Sequence, residues 1–248
     1  MNTLTTISLY GLIFGMLGTT FGGIIGTYLN INSKKFLSFI LEFAAGLMTA
    51  ITCFNLIPES IKLTNISLTV PGILLGIFMM IFTSKFVDNS KTIKSKNINN
   101  NKNNLFKSGI IIALGIAIHN LPEGLAIGAG FCSSESLGFS LALTIAIHDI
   151  PEGISVALPL KSSGFSKTKS IFITALSGLT TGLGALIGAI FSQVNSIFIG
   201  LSLSFASGAM LYIISCELIP ESKTLYKGKF SSIGNILGLI IGLISIYI

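Results

Sequence analysis

The sequence is poor in charge and contains neither arginine nor tryptophan. Only 10% of its 248 residues are charged, whereas 51% are hydrophobic. A soluble globular domain carries about 25% charged residues, so this chain has too few charges to cover a water-exposed surface. No stretch interleaves aromatic with basic residues, which excludes a surface for stacking nucleic-acid bases. The composition therefore predicts an integral membrane protein.

The three cysteines, Cys53, Cys132 and Cys216, lie in or beside apolar segments and form no CxxC pair. A zinc ribbon and a disulfide framework are therefore not supported. The apolar run from about Ile7 to Tyr28 has no basic segment before it. We interpret it as the first spanning helix and not as a cleaved signal peptide.

The apolar stretches predict an all-α fold with eight transmembrane helices. A spanning helix needs about 20 mostly apolar residues, and the sequence contains eight such stretches, at roughly 7–29, 36–60, 68–87, 108–131, 136–159, 169–192, 196–221 and 230–248. Together they make one transmembrane domain over residues 1–248. The longest connection, 88–107, is rich in Asn and Lys, a composition that predicts a flexible loop.

The lysine positions predict the orientation of the chain in the membrane. With eight spans, fourteen of the fifteen lysines fall in connections on one side, and only Lys62 falls on the other. Cytoplasmic connections of membrane proteins carry an excess of basic residues. The pattern therefore predicts that 88–107 lies in the cytoplasm, that both termini lie outside, and that the protein is a multi-pass protein of the plasma membrane.

Two internal repeats relate distant parts of the sequence. Residues 43–60 match residues 205–222 at 10 of 18 positions without gaps, and residues 116–124 match residues 145–153 at 7 of 9. In each pair, the two copies lie in spans predicted to cross the membrane in opposite directions. Inverted repeats around a site at mid-membrane depth are a transporter architecture. We therefore expect spans 1–3 to correspond to spans 6–8, and span 4 to pair with span 5.

The second repeat carries the motif His-x-x-Pro-Glu-Gly twice, and its two histidines are the only ones in the chain. His119 and Glu123 are four residues apart and share one helix face, and His148 and Glu152 repeat that spacing. Two antiparallel helices that each offer an imidazole and a carboxylate supply four ligands suited to Zn²⁺ and other first-row divalent ions. A hydrogen-bonded packing contact is the alternative interpretation of such a pair.

Depth and charge favour the metal site. His119 lies about 18 Å beyond Lys107 and His148 about 20 Å before Lys161, at 1.5 Å per helical residue, so both histidines lie near the midplane of the membrane. Asn120 and Asp149 each follow a histidine and would offer a second, adjacent set of oxygen ligands. Buried carboxylates need a cation or a proton as partner. Since no basic residue lies at that depth, a metal ion is the best candidate.

HNLPEG and HDIPEG, together with the eight spans, resemble the ZIP family of metal transporters, particularly its short bacterial members. The resemblance covers essentially the whole chain. It implies that His119, Glu123 and Glu152 are primary metal ligands, and that His148 occupies a ligand position that varies within the family. It also implies that Asn120 and Asp149 belong to an adjacent second metal site shared with the glutamates.

Other parts of the resemblance are less complete. Met48, in AAGLM, matches a methionine ligand of the family's second span, although a thioether in a helix is more often part of the core. Related bacterial members often carry Glu-Pro in the sixth span, where this chain has Thr181 and Gly182. We therefore expect the second metal site to be weaker or absent. The segment 88–107 lacks histidines, so we do not expect it to capture metal.

These observations predict a transporter that moves a divalent metal ion into the cytoplasm by alternating access. Zn²⁺ is the expected substrate, and Fe²⁺, Mn²⁺, Co²⁺ and Cd²⁺ accept overlapping ligand sets. The expected partners are the metal ion and the lipid bilayer, without nucleic acid or a prosthetic group, and a homodimer is left open. The alternative function is an intramembrane zinc-dependent hydrolase, in which a glutamate acts as general base. HExxH is absent, however, and the inverted repeats favour a transporter over an enzyme.

Overall fold

The computed structural model describes residues 3–28, 33–95 and 101–247, which form helices joined by short connections. No β-strand occurs within these ranges. The helices are α1 (Thr3–Tyr28), α2 (Lys34–Ile51), α3 (Ile57–Leu63), α4 (Ile66–Ser95), α5 (Asn101–Ser133), α6 (Glu135–Ser162), α7 (Lys167–Ser177), α8 (Leu179–Ser192), α9 (Ser196–Tyr212), α10 (Ile219–Leu225) and α11 (Lys229–Tyr247), with π-helical turns at Thr52–Leu56 and Ile213–Leu218.

The predicted all-α membrane fold is confirmed. Within the described residues, seven helical segments are long and apolar enough to cross a membrane: 4–28, 34–63, 66–85, 135–162, 167–192, 196–225 and 229–246. The remaining long helix, α5, carries three polar residues of the first motif in its middle part: His119, Asn120 and Glu123. α5 together with the seven segments corresponds to the eight predicted spans.

Two predicted segments differ in detail. The sixth span, predicted as one helix, is interrupted at Gly178, where α7 ends and α8 begins. A Cβ atom at Gly178 would lie 2.6 Å from Gly15 O and Thr19 Oγ1, so the break allows a close approach to α1. In the predicted loop 88–107, α4 continues to Ser95 and α5 starts at Asn101. Residues 96–100 lie outside the described ranges, and the flexibility of this loop stays a prediction.

The two π-helical turns occupy equivalent places in the first repeat. Each is followed directly by Ile-Pro-Glu-Ser, at Pro58 in one copy and at Pro220 in the other. Proline has no N–H to donate, so the regular ladder of helix hydrogen bonds is interrupted at both places. Such wide turns are frequent at functional sites. One of them contains Glu217.

The helices form two bundles. In the first, α1 packs on α6 and α5 packs on α8, with α7 against α1. In the second, α2 packs on α11 and α9 packs on α4. The two bundles meet mainly where α5 contacts α9 and α2 contacts α6. The two His-x-x-Pro-Glu-Gly motifs lie on α5 and α6, in the first bundle. They are next to the contact between the two bundles, which we call the seam.

Small residues in the second bundle show the inverted symmetry directly. A Cβ atom at Gly46 of α2 would overlap the carbonyl oxygen of Asn235 of α11. At the equivalent position of the other repeat, a Cβ atom at Gly208 of α9 would overlap the carbonyl oxygen of Ile73 of α4. The same close helix contact is thus made twice, once by each repeat. Small residues at such crossings let helix backbones pack tightly in a membrane.

We expect Gly46→Ala and Gly208→Ala each to destabilise the protein by about 1–3 kcal/mol, because the added methyl group forces two backbones apart. The matched control is Gly115→Ala in α5, where a Cβ atom would meet nothing within 4 Å. That substitution should be neutral or stabilising, since Ala favours helix by about 1 kcal/mol over Gly. Thermal unfolding in detergent measures all three, and equal midpoints for the Gly46 and Gly115 variants would contradict the packing described.

Candidate metal centre

α5 and α6 form an antiparallel hairpin that brings the two motifs together. Ser134 is the single residue between these helices, and its hydroxyl caps α6 by accepting a hydrogen bond from Leu137 N at 3.1 Å. A Cβ atom at Gly130 would lie only 3.4 Å from Gly138 Cα, so the helices are close from their connection onward. Because the hairpin is antiparallel, the motif on α5 faces its copy on α6.

His148, Glu123 and Asp149 form the centre of the site. His148 Nε2 lies 2.9 Å from Glu123 Oε1 and 3.3 Å from Asp149 Oδ1. One ligand atom from each residue lies within 4.8 Å of the others. All three side chains are buried, with at most 1% exposure. A nitrogen and two carboxylates at this spacing are a suitable ligand set for a small divalent cation.

Several carboxylate oxygens of the centre have no hydrogen-bond partner among the described residues: Glu123 Oε2, Asp149 Oδ1 and Oδ2, and Glu152 Oε2. The contact of Asp149 with His148 is at ion-pair distance without being a hydrogen bond. Unpartnered charges are costly inside a membrane. Apart from its two histidines, the sequence has no basic side chain between residues 108 and 160, so α5 and α6 offer two imidazoles for three buried carboxylates. A bound cation would compensate the remaining negative charge.

His119 joins the centre to the other bundle. Its Nε2 lies 2.8 Å from Glu217 Oε2, in the π-helical turn that follows α9. The other oxygen of Glu217 accepts a hydrogen bond from Ser84 Oγ of α4 at 2.6 Å. The side chains of His119 and Glu217 are 11% and 29% exposed, so this contact is more open than the centre itself. It therefore connects the buried cluster with the seam between the bundles.

Glu152 lies one helical turn after His148 on α6. It is 3% exposed. Its carboxylate interacts electrostatically with Glu123, both histidines and Glu217. Glu152 thus belongs to the same charge cluster, although it lies outside the tight three-residue group formed by His148, Glu123 and Asp149.

Asn120 contacts the break between α7 and α8. Its Nδ2 donates a hydrogen bond to Ser177 O at 3.1 Å, while its Oδ1 is buried without a partner among the described residues. Thr181 Oγ1, at the place where the family resemblance leads us to expect the glutamate of Glu-Pro, is also buried and has no partner among the described residues. An adjacent site here would have neutral oxygens in place of that carboxylate. The expectation of a weaker or absent second site stays a prediction.

Met48 lies in a large buried apolar cluster with its repeat equivalent, Met210. It is 1% exposed, and Thr52 Oγ1 donates a weak hydrogen bond to Met210 Sδ at 3.5 Å. The neighbours of Met48 in that cluster are apolar side chains such as Ala45 and Ile51. Core packing is therefore the interpretation that this position favours, and a ligand role stays a prediction.

Two contacts in the site were not predicted from the sequence. Ser84 gave no signal, because a single serine near the end of a predicted span is a common feature. The contact of Glu217 with His119 joins residues of distant spans, which no local sequence pattern indicates. The position of Glu217 in a repeat, at the place of Asn55, was the one available signal.

An all-α membrane fold with inverted repeats, and a buried nitrogen and oxygen cluster on two opposed helices, define a multi-pass transporter of the metal-ion type. The family profile described as "ZIP Zinc transporter" matches residues 94–248. The chain is 32% identical to zinc transporter ZupT of Chlorobium chlorochromatii, over 94% of each chain. It is 33% identical to zinc transporter ZupT of Clostridium perfringens, over 99% of this chain and 96% of that protein.

A further relative, zinc transporter GufA of Myxococcus xanthus, is 40% identical over 50% of this chain and 48% of that protein. The chain belongs to the ZIP family, as its motifs predicted. These relatives are named as transporters and not as enzymes, so the alternative of an intramembrane hydrolase is not supported.

Proposed function

We propose that this protein carries divalent metal ions, with Zn²⁺ as the main substrate, into the cytoplasm by alternating access. One observation carries the proposal: Glu123, His148 and Asp149 bring three ligand atoms within 4.8 Å of one another in a buried place, with carboxylate oxygens that no described residue satisfies. The names of the related zinc transporters favour zinc as the substrate. Imidazole and carboxylate also accept Fe²⁺, Mn²⁺, Co²⁺ and Cd²⁺, and geometry and availability decide among these ions.

The proposed binding residues divide into a core and a flank. Glu123 and His148 form the core with Asp149, and Glu152 adds a carboxylate. His119 binds the ion from the side of the seam once the ion replaces its contact with Glu217. Asn120 contributes an oxygen only at the adjacent, weaker position. Metal and proton compete for the same lone pairs, so protonation of His119 or of a glutamate assists release.

The proposed route to the cytoplasm passes Glu217. Its side chain is 29% exposed, and it lies beyond the middle of the helical segment 196–225, toward the lysine-rich end, where Lys223 lies in the last turn of the segment and Lys227 follows it. The positive-inside rule assigns that end to the cytoplasm, places both termini outside, and favours the plasma membrane as location. Movement of the first bundle against the second would then separate His119 from Glu217 and open the site on the side that faces away from the cytoplasm.

Uptake into proteoliposomes that enclose a zinc-sensitive dye tests the proposal. Purified protein should produce saturable Zn²⁺ influx above the level of protein-free vesicles, and the panel of other divalent ions should compete at two pH values. Vesicles that contain folded protein and show only the leak of empty vesicles would contradict a transport function. Half-inhibition of the Zn²⁺ signal by Fe²⁺ or Mn²⁺ at concentrations well below the half-saturating Zn²⁺ concentration would contradict zinc as the main substrate.

A further inference from the structure

One face of α6 carries polar residues at every fourth position from its start to the metal centre. Residues four apart share a helix face, and the residues concerned are Ser136, Ser140, Thr144, His148 and Glu152. Beyond Glu152 the same face continues with Val156 and Leu160, both buried in an apolar cluster. We call the first three residues the hydroxyl stripe. It leads to the centre from one end only, the end opposite the lysine-rich connections.

The hydroxyl stripe starts in a polar cavity of about 250 Å³. Ser136 and Ser140 line it, together with Asn55 and Glu59 of the opposite bundle. Glu59 accepts a hydrogen bond from Ser133 Oγ at 2.7 Å and forms an ion pair with Lys62 at 3.3 Å. The Lys62 side chain is 74% exposed, and such surface pairs contribute at most about 1 kcal/mol. The carboxylate of Glu59 is thus available to a cation at the mouth.

Below the cavity, the stripe passes between the two bundles. Ser140 Oγ donates a hydrogen bond to Ser245 O of α11 at 3.3 Å, and Thr144 Oγ1 lies 3.3 Å from Ser245 Oγ. Thr144 also donates to Ser140 O at 2.9 Å and is only 1% exposed. His148 follows one helical turn later. The path is therefore closed at Thr144 in this conformation, whereas His119 and Glu217 are partly exposed on the other side.

We propose that the hydroxyl stripe of α6 is the path by which the metal ion reaches the centre from the side of the membrane opposite the lysine-rich connections. This inference rests on the proposed transport function and adds the path to it. Along the helix axis, Ser136 at the start of the stripe lies about 18 Å from His148, at 1.5 Å per residue. Neutral hydroxyl oxygens replace part of the ion's hydration shell without holding it, which a conducting path requires. The carboxylates and imidazoles at its end hold the ion.

The competing explanation for the stripe is packing alone, since serine and threonine also join membrane helices by hydrogen bonds. Two features favour a path. The polar positions begin in a cavity that contains Glu59, and they stop at the metal centre instead of continuing along the helix. If these residues served only to pack helices together, there would be no reason for this face of α6 to change from polar to apolar directly after Glu152.

The test compares Thr144→Val, which removes the hydroxyl while keeping the shape, with Thr144→Ser, which keeps the hydroxyl. Zn²⁺ influx into proteoliposomes should fall roughly three- to tenfold for Val, the effect of one lost hydrogen-bond partner. It should stay within about twofold of wild type for Ser. Equilibrium Zn²⁺ binding by the detergent-solubilised protein should stay unchanged for both, because the centre itself is intact.

Thr174→Val in α7 is the matched control, since Thr174 is fully buried and donates to Ser170 O at 2.9 Å, as Thr144 does to Ser140 O. It should leave influx unchanged. Wild-type influx in Thr144→Val would overturn the proposed path, and so would equal losses in Thr144→Val and Thr144→Ser or in Thr144→Val and Thr174→Val. Failure of the wild-type protein to transport would instead contradict the transport function itself, so the two failures are distinguishable.

Discussion

Glu123→Gln should abolish metal uptake and weaken Zn²⁺ binding by about 30-fold or more. Glu123 contacts His148 at 2.9 Å, and its second oxygen has no partner among the described residues. Bound Zn²⁺ would be a buried charge with the Glu123 carboxylate as one of its partners, and removing one partner of such a contact costs about 2–5 kcal/mol, which corresponds to roughly 30-fold or more in affinity. The substitution keeps the size of the side chain, so the helix packing around it should survive.

Binding and stability can be measured together for this variant. At a Zn²⁺ concentration of 100 times its dissociation constant, the wild type should gain about 2.7 kcal/mol of stability. A variant with roughly 30-fold weaker binding should gain less than half of that amount at the same concentration. Without metal, the variant should be at least as stable as wild type, because one of several neighbouring buried carboxylates is gone.

Glu135→Gln, at the exposed start of α6, is the control for the loss of one carboxylate. It should leave uptake, binding and stability unchanged. Normal Zn²⁺ uptake by Glu123→Gln would show that the centre is not the transport site, and loss of folded protein in the absence of metal would show that Glu123 acts through structure.

Glu217→Gln should lower Zn²⁺ uptake much more than it lowers equilibrium Zn²⁺ binding. We expect uptake to fall by about tenfold or more, because the uncharged side chain no longer attracts the ion on its way out, an effect of roughly 1.4 kcal/mol. Equilibrium binding should change far less, since Glu123, His148 and Asp149 remain in place. By contrast, His119→Ala should lower both, because His119 contacts Glu217 at 2.8 Å and also belongs to the proposed ligand set.

Ser84→Ala should reduce Zn²⁺ uptake by a smaller amount than Glu217→Gln does. Ser84 donates a 2.6 Å hydrogen bond to Glu217, so its loss should weaken the position of the carboxylate without removing its charge. Both decreases are measured under the same proteoliposome conditions. Equal binding and transport losses in Glu217→Gln would contradict its placement on the route and make it a ligand of the centre.

The spacing of the motifs was sufficient to predict much of the site. His148 and Glu123 come from different copies of the motif, and the structure places them 2.9 Å apart on opposed helices. The repeat and the alternation of lysines were enough to predict that these helices are antiparallel. Helix periodicity is local and regular, so residues four apart share a face whatever surrounds them.

Other features depended on distant contacts. The choice of Asp149 as third member of the tight group, with His119 directed toward Glu217, follows from the way α5 packs against α6 and α9. The break at Gly178 required the close approach of Gly15 and Thr19, which no local pattern near residue 178 indicates. Met48 matched a family position, yet the structure places it in an apolar cluster.

An all-α membrane protein with inverted repeats and a buried pair of His-x-x-Pro-Glu-Gly motifs could be predicted from the residues alone, because hydropathy, lysine distribution and helix periodicity act over short segments. Which ligand atoms meet, where the site is closed and where it is partly open became visible once the helices were packed together. Those properties arise from contacts between helices of different bundles, such as Thr144 with Ser245 and His119 with Glu217, whose residues are about one hundred positions apart along the chain.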